Sequence, residues 1–434
     1  MNYEETIDYL FRKLPMFSLI GAAAYKKDLT NTLTLCNFLG NPQTAFKSVH
    51  VAGTNGKGST SHMLAAVFQQ AGYKTGLYTS PHLTDFRERI KVNGQLVDKD
   101  FVTDFVSRIQ PLIDQIQPSF FEITVAMSFA YFAYLKVDIA IVEVGLGGRY
   151  DSTNIIHPEL SVITNISFDH MQILGDTLEK IAYEKAGIIK MGIPVVVGQR
   201  QAATDPVFLQ YAGERQAPLI FADQRRYVAE WKMVKHRLEA EVTSAIHNEK
   251  TYYTLDLAGI YQTRNLVTVL EALEILVRQG WKITDSQIRE ALGQVKKLNG
   301  LHGRWEIIHE RPLIVLDVGH NEEGIRLLVN QTEVTDHEEL HIVIGLVKDK
   351  DVEKITELLP RHANYYFTRA RIPRALPEDR LAEIGHRKGL RGDYYPEVNT
   401  ALRAAIAAAG KKDLIIVCGS VFVVAEVTPG FASL

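Results

Sequence analysis

Apolar positions along the chain switch repeatedly between two patterns. Short apolar runs at residues 48–52, 75–78, 137–144, 160–164 and 193–197 alternate with helix-like stretches such as 53–71 and 177–186. Runs of this length predict strands buried on both faces, and their alternation with helices predicts an α/β fold with a mostly parallel sheet. Asn93-Gly94, between the runs 88–92 and 95–97, predicts a hairpin turn. The most apolar stretch, 123–144, is interrupted by Lys136 and Asp138. It predicts a buried helix followed by a strand rather than a membrane span.

Residues 225–257 are more polar and alternate, which predicts strands on an edge. The spacing of Leu266, Val269, Leu270, Leu273 and Leu276 predicts a helix over 262–278, and a second follows at 285–292. Residues 296–303 are basic and carry Asn299-Gly300 and His302-Gly303, the best candidate for a domain boundary. The alternation then restarts. Strand-like runs at 313–316, 341–345, 364–367 and 414–418 are separated by helix-like stretches at 352–359, 378–387 and 398–409. Two domains are expected, 1–298 and 299–434. The first is a phosphate-loop nucleotide-binding domain with a mostly parallel sheet. The second is a smaller, doubly wound, Rossmann-like domain.

Composition narrows the class. The chain has 434 residues, 46% hydrophobic and 23% charged, with a net charge of −3. That excludes a disordered or membrane-embedded protein and gives no reason to expect nucleic acid as a partner. Two cysteines, Cys36 and Cys418, make no disulfide framework. The acidic start, without an apolar run, does not read as a signal peptide, so a cytoplasmic location is expected.

The sharpest chemical signal is Gly53-Thr54-Asn55-Gly56-Lys57-Gly58-Ser59, after an apolar strand and at the start of a helix. Glycines let backbone N–H groups approach phosphate oxygens, the helix N-terminus favours an anion, and Lys57 adds charge. Ser59 has the chemistry to approach a phosphate-bound Mg²⁺. The spacing departs from G-x-x-x-x-G-K-[ST], and the bland alternative is a glycine-rich turn with an exposed lysine. Glu143 ends a buried strand, where open α/β sheets bind ligands, and is either a Mg²⁺ ligand or a loop cap. On its own, His170 in Asp169-His170 reads as a hydrogen-bonded loop residue, and Lys185, near a helix end, as a solvated lysine.

Three motifs mislead. Gly145-x-Gly147 lacks the third small residue of a dinucleotide fingerprint, because Tyr150 stands there. His337-Glu338-Glu339-Leu340-His341 matches H-E-x-x-H but runs into a strand. Residues four apart there lie about 13 Å apart, too far for one zinc ion, so it reads as a polar approach to a sheet edge. Cys418 has no base nearby in sequence and reads as a buried, inert thiol.

Taken together the residues are familiar. The set comprises 51–60, Ser80-Pro81-His82, 143–154, 163–174, 184–190, Gln262 to Asn265, Gly303-Arg304, Asp317 to Asn321, 345–351 and Cys418-Gly419-Ser420. Its order and coverage resemble folylpolyglutamate synthase and dihydrofolate synthase, members of the Mur ligase superfamily. The resemblance implies an ATP- and Mg²⁺-dependent ligase. It would join L-glutamate to 7,8-dihydropteroate or a reduced folate through an acyl phosphate, as a monomer and with both activities. It implies that Thr54, Asn55, Gly56, Lys57, Gly58 and Ser59 hold the ATP phosphates, with Asn265, Arg304 and Asp317 also contacting ATP. Ser80, Glu143 and His170 would hold Mg²⁺, and Lys185 would be carbamylated. Lys57, Lys185 and His170 are the catalytic candidates. Ile20, Gly21, Ala22, Ser119, Phe120, Phe121, Glu122, Tyr150, Asp151 and Ser152 would line the pterin pocket, although Phe120 and Phe121 suit a core equally well.

Departures from the family pattern are His302 where proline is usual, Gly319 for alanine, and Asn321-Glu322-Glu323 for Asn-Pro. The resemblance also suggests a hinge at 296–303 that closes Arg304 and Asp317 over the phosphate loop. Two other readings compete. A cell-wall precursor ligase would need an N-terminal domain for which about 47 residues are too few. A regulatory nucleotide-binding protein would not need every phosphate and metal position to be chemically competent.

Overall fold

The computed structural model describes residues 1–16, 21 and 25–428. Eight strands form the first sheet: β1 (Lys47–Ala52), β2 (Thr75–Tyr78), β3 (Ile90–Val92), β4 (Gln95–Leu96), β5 (Ile139–Glu143), β6 (Leu160–Ile163), β7 (Val195–Val197) and β8 (Leu219–Phe221). Their order is β4-β3-β2-β5-β1-β6-β7-β8. The six from β2 to β8 run parallel, and the β3–β4 hairpin adds on antiparallel. Asn93 and Gly94 take φ 47° and 74°, as a two-residue hairpin turn requires.

The two faces of β5 show why apolar runs became central strands. Ile139 and Ile141 pack under helices Lys57–Gln70 and Gln262–Arg278. Ala140 and Val142 pack under helix Phe120–Leu135. Each face needs its own apolar set, so no alternation appears in the sequence. The polar stretch after residue 225 is not an edge of this sheet. It is a separate antiparallel meander, β9 (Arg226–Val234), β10 (Arg237–Ser244) and β11 (Lys250–Leu255). Leu238, Ala240 and Val242 face inward and join the core under the phosphate-loop helix.

The second sheet has six strands: β12 (Glu306–Glu310), β13 (Leu313–Leu316), β14 (Leu340–Ile344), β15 (Asn364–Phe367), β16 (Arg391–Tyr394) and β17 (Leu414–Cys418). Their order is β12-β13-β17-β14-β15-β16, parallel except for β12. Helices cover both faces over two cores, so this part is doubly wound. His341 is therefore central, not at an edge, and its ring meets Tyr366 Oη at 3.0 Å and Asp413 at 3.3 Å. Cys418 is fully buried and its thiol is pushed up by burial.

The passage between the sheets, 296–303, is partly helical. Residues Val295–Asn299 form a helix that packs on the phosphate-loop helix. The Asn299 side chain donates to His62 O at 3.0 Å. Beyond it, Gly300 and Gly303 take φ 60° and 67°, and Trp305 takes φ 46°. His302, at the position where proline was expected, lies 2.7 Å from Glu306.

That pair has a pH signature. The hydrogen bond to Glu306 raises the His302 pKa, against burial. A raised folded-state pKa means its stabilisation is complete below the unfolded value and fades as pH rises through the folded one. His302 is more than half exposed, so the contribution is about 0.5 kcal/mol or less. The thermal midpoint of His302→Gln is expected below that of the parent chain at pH 5.5, with the gap closing by pH 9. An equal gap at both values would refute the linkage.

Candidate active site

Strand ends build the site. β1 feeds the loop 53–56, and the helix Lys57–Gln70 starts directly after it. Gly53 and Gly56 take φ 144° and 83°. Space is as restrictive as conformation: a Cβ on Gly56 would lie 2.3 Å from Asn265 Oδ1, and one on Gly53 1.8 Å from Thr164 Oγ1. The loop is braced from the end of β6. Thr54 N donates to Asn165 O at 2.9 Å, and Asn55 N to Asn165 Oδ1 at 2.8 Å. Lys57 Nζ donates to Thr54 O at 3.0 Å, curled back over its own loop. Burial in the cleft lowers the Lys57 pKa, with Glu143 and Asp169 opposing.

Carboxylate, imidazole and amine groups converge on this loop. Glu143, at the carboxyl end of β5, is 4% exposed and accepts from Ser80 N at 3.2 Å. Burial pushes its pKa up to about 7, with Lys57, Arg304 and Arg89 pulling the other way. His170 starts helix Met171–Leu174 at φ 49°, and burial pushes its imidazole down to about 3. A lowered pKa favours the neutral imidazole, the form that can bind a metal. Lys185 is not the solvated lysine its sequence position suggested. It is 4% exposed and donates to Gly53 O at 2.8 Å, beneath the phosphate loop. Burial and the nearby Lys57 push its pKa down to about 7.

The second sheet closes the other side. Arg304 reaches to within 3.5 Å of a Cβ placed on Gly58. Asp317, at the end of β13, accepts from Tyr261 Oη at 2.6 Å, Trp305 N at 2.9 Å and Gly319 N at 2.8 Å. It holds the strained Trp305 peptide, which aims the preceding Arg304. Ser59 is buried and accepts from Gln262 Nε2 at 3.2 Å, and Asn265 donates to Gln262 Oε1 at 2.8 Å. Arg304, Asp317, Tyr261, Ser59, Asn265 and Ser80 line one cleft of about 370 Å³.

The pterin candidates divide. Ile20 and Ala22 lie outside the described residues. Gly21 takes φ 63°, and a Cβ there would lie 3.6 Å from Arg374 Nε. Ser119 and Glu122 cap their helix reciprocally, at 2.6 and 3.2 Å. Phe120 meets Phe11 in a tilted contact and Phe86 edge-on in the core but also borders the cleft. The Phe121 ring fills the space beside Gly145, where a Cβ would meet it at 2.4 Å. Tyr150, Asp151 and Ser152 border the cleft. Asp151 braces its own turn, accepting from Leu146 N at 2.8 Å and Thr153 N at 3.0 Å.

Several cleft residues were not among the candidates. Tyr261 carries no motif of its own. Arg89 is buried and donates to His82 Nδ1 at 2.7 Å. Asp169 pairs with Lys350 and lies 3.3 Å from His320 and 3.1 Å from Asn321 Nδ2, all across the cleft. Burial opposes ionisation of Asp169, but His170, Lys350 and His320 hold its carboxyl well below the usual range. Glu323 reaches over from the same side to Asn165 Nδ2 at 2.6 Å and Asn55 Nδ2 at 3.1 Å. Lys350 sits in the 345–351 stretch of the family resemblance, but its partner Asp169 lies 181 residues away.

The Mur ligase middle domain matches residues 51–273, and the Mur ligase glutamate ligase domain matches 303–421. The chain is 33% identical over 407 residues to dihydrofolate synthase/folylpolyglutamate synthase of Bacillus subtilis, covering 90% of this chain and 91% of the relative. It belongs to the folylpolyglutamate synthase/dihydrofolate synthase family of the Mur ligase superfamily. Folylpolyglutamate synthase of Lacticaseibacillus casei is 32% identical, covering 87% of this chain and 88% of the relative. Among solved structures, Escherichia coli FolC in complex with DHPP and ADP superposes with TM-score 0.84 at 28% identity, covering 100% of this chain and 98% of that one. Mycobacterium tuberculosis folylpolyglutamate synthase complexed with ADP gives TM-score 0.86 at 28% identity, covering 98% and 96%. Both sheets of this ligase family are thus present in one chain. No helix among the described residues is long and apolar enough to cross a membrane.

Proposed function

We propose that this chain joins L-glutamate to a pteroate or folate carboxyl at the cost of ATP, forming an acyl phosphate that the glutamate amine then attacks. One observation carries the reading. The phosphate loop with Lys57 on one sheet, and Arg304 on the other, face a single cleft that also contains Glu143 and His170. A carboxylate becomes a good electrophile only when an oxygen is made a leaving group. The demand on the protein is therefore positioning and neutralisation of phosphate charge.

In this reading the backbone of 54–59 and Lys57 hold the ATP phosphates, and Arg304 neutralises charge from the opposite side. Asn265 and the Asp317–Tyr261 pair border the nucleoside end. Glu143 suits a divalent cation: it is a buried carboxylate with a raised pKa, and a nearby cation would restore its charge. Mg²⁺ is commonly held by one or two carboxylates plus substrate phosphates. Glu143, Ser80 and His170 are the residues that would hold it, and it would supply phosphate charge neutralisation. We assign 1–298 to the nucleotide and pterin domain and 299–434 to the glutamate ligase domain. The remaining assignments are a monomer in the cytoplasm with both ligase activities.

Phosphate release with MgATP and L-glutamate tests this, with 7,8-dihydropteroate and tetrahydrofolate supplied separately. Release with both acids supports the bifunctional assignment. Release with one assigns a single activity, and release with neither overturns the acceptor.

A further inference from the structure

Lys91 stands in the middle of β3, where the pleat separates it from its neighbours. Ile90 and Val92 point into the core under helix Phe120–Leu135. Lys91 therefore faces the opposite side, paired with Leu77 of β2, which belongs to the core under the phosphate-loop helix. There it is 4% exposed. Its ammonium donates to two main-chain carbonyls, Asn299 O at 2.6 Å and Gly300 O at 3.3 Å.

Those carbonyls close the helix Val295–Asn299, where backbone acceptors lack helical partners and carry partial negative charge. The same spot is held in two other ways. Asn299 Nδ2 donates to His62 O, and His62 Nδ1 meets Gly58 O at 2.7 Å, which ties the linker to the first turns of the phosphate-loop helix. Hairpin residue Gly94 lies so close that a Cβ would meet Leu298 O at 1.9 Å. From this anchored point, only Leu301, His302 and Gly303 separate the clamped carbonyls from Arg304.

We propose that Lys91 is a positioning residue of the ligase reaction: it clamps the carbonyls of Asn299 and Gly300 and so fixes where Arg304 meets the phosphate loop. This rests on the ligase reading above. Arg304 acts only if its guanidinium reaches phosphate charge, and a displacement of about 1 Å costs about 10²-fold. Three residues, one a glycine at φ 67° whose carbonyl accepts from Val318 N at 3.0 Å, lie between Gly300 and Arg304, so the clamp sets one end of the short span that carries Arg304. A lysine serving the fold alone would affect stability and leave turnover unchanged.

The test uses the full chain with Lys91→Met, Lys91→Gln and Lys91→Arg, reading phosphate release and amide hydrogen exchange. Lys91→Met is expected to lower kcat by about 10- to 100-fold and to leave the KM of the pterin acid within about two-fold. Exchange at 301–305 is expected to speed up, and Lys91→Arg to recover at least half of the lost rate. A Lys91→Met protein with a lowered thermal midpoint but parental kcat and parental exchange at 301–305 overturns the proposal. If Lys91→Met does not fold, Lys91→Gln decides, and a kcat within two-fold of the parent overturns it. If the parent chain releases no phosphate with any acid, the ligase reading fails. The exchange experiment then still decides whether Lys91 clamps the linker.

Discussion

Changing Lys57 to methionine is expected to lower kcat/KM for ATP by about 10³-fold, the usual scale for losing one preorganised charge in a site. The ammonium lies in a cleft and donates to Thr54 O of its own loop. Its charge is already disfavoured by burial, so it gains most when phosphate arrives and compensates that cost. Methionine matches the stem in length and apolar packing, so the loop braced by Asn165 and Thr164 should keep its shape. Circular dichroism and thermal midpoint are expected near parental values. A loss under ten-fold would mean that Arg304 and the backbone N–H groups carry the phosphate without it.

The second large effect concerns Lys185. An exposed lysine is neutral in roughly one molecule in a few thousand at pH 7. Lys185, pushed down to about 7, is neutral in a large fraction. The neutral amine is the form that adds to CO₂. The nitrogen lone pair bonds to carbon, one N–H proton passes to solvent, and a carbamate anion results. The resemblance to the family implied this modification, and the burial of the amine beneath Gly53 supplies a physical reason for it. Lys185→Met is expected to lose about 10²- to 10³-fold in kcat. The parent is expected to lose activity in CO₂-depleted buffer and regain it on adding bicarbonate. Native mass spectrometry should find one added CO₂ in the parent and none in the variant. Activity indifferent to CO₂, together with a Lys185→Met rate near the parent's, would remove the carbamate from the reaction.

Lys185 also marks where sequence reading stopped. A lysine one residue from a helix end reads as solvated by every local rule. What buries it is the packing of helix Leu178–Ala186 against the loop after β1, a contact between residues 132 apart. Lys91 fails the same way: β3 alternates polar and apolar as a half-exposed strand should, yet its polar face lies under the linker helix. By contrast, the strands β1, β5, β6, β14 and β17 were legible because central parallel strands must be apolar on both faces. The phosphate loop was legible because glycine positions and a helix start are local. Asp169 sat in a quoted motif, but its partners Lys350, His320 and Asn321 come from a sheet 150 residues downstream or more. The meander β9–β11 misled because alternation reports a half-buried strand without saying which core its buried half joins.

The left-handed backbone at Trp305 has an optical consequence. The chain has three tryptophans. Trp231 is 41% exposed on β9, and Trp281 sits at the rim beside Phe68 and Tyr73. Trp305 alone is sealed in the second sheet's core, 2% exposed, one peptide bond from Arg304. A chain carrying phenylalanine at 231 and 281 would keep a single indole whose emission follows the guanidinium that spans the cleft, so the ligase carries its own fluorophore at the joint between its two halves.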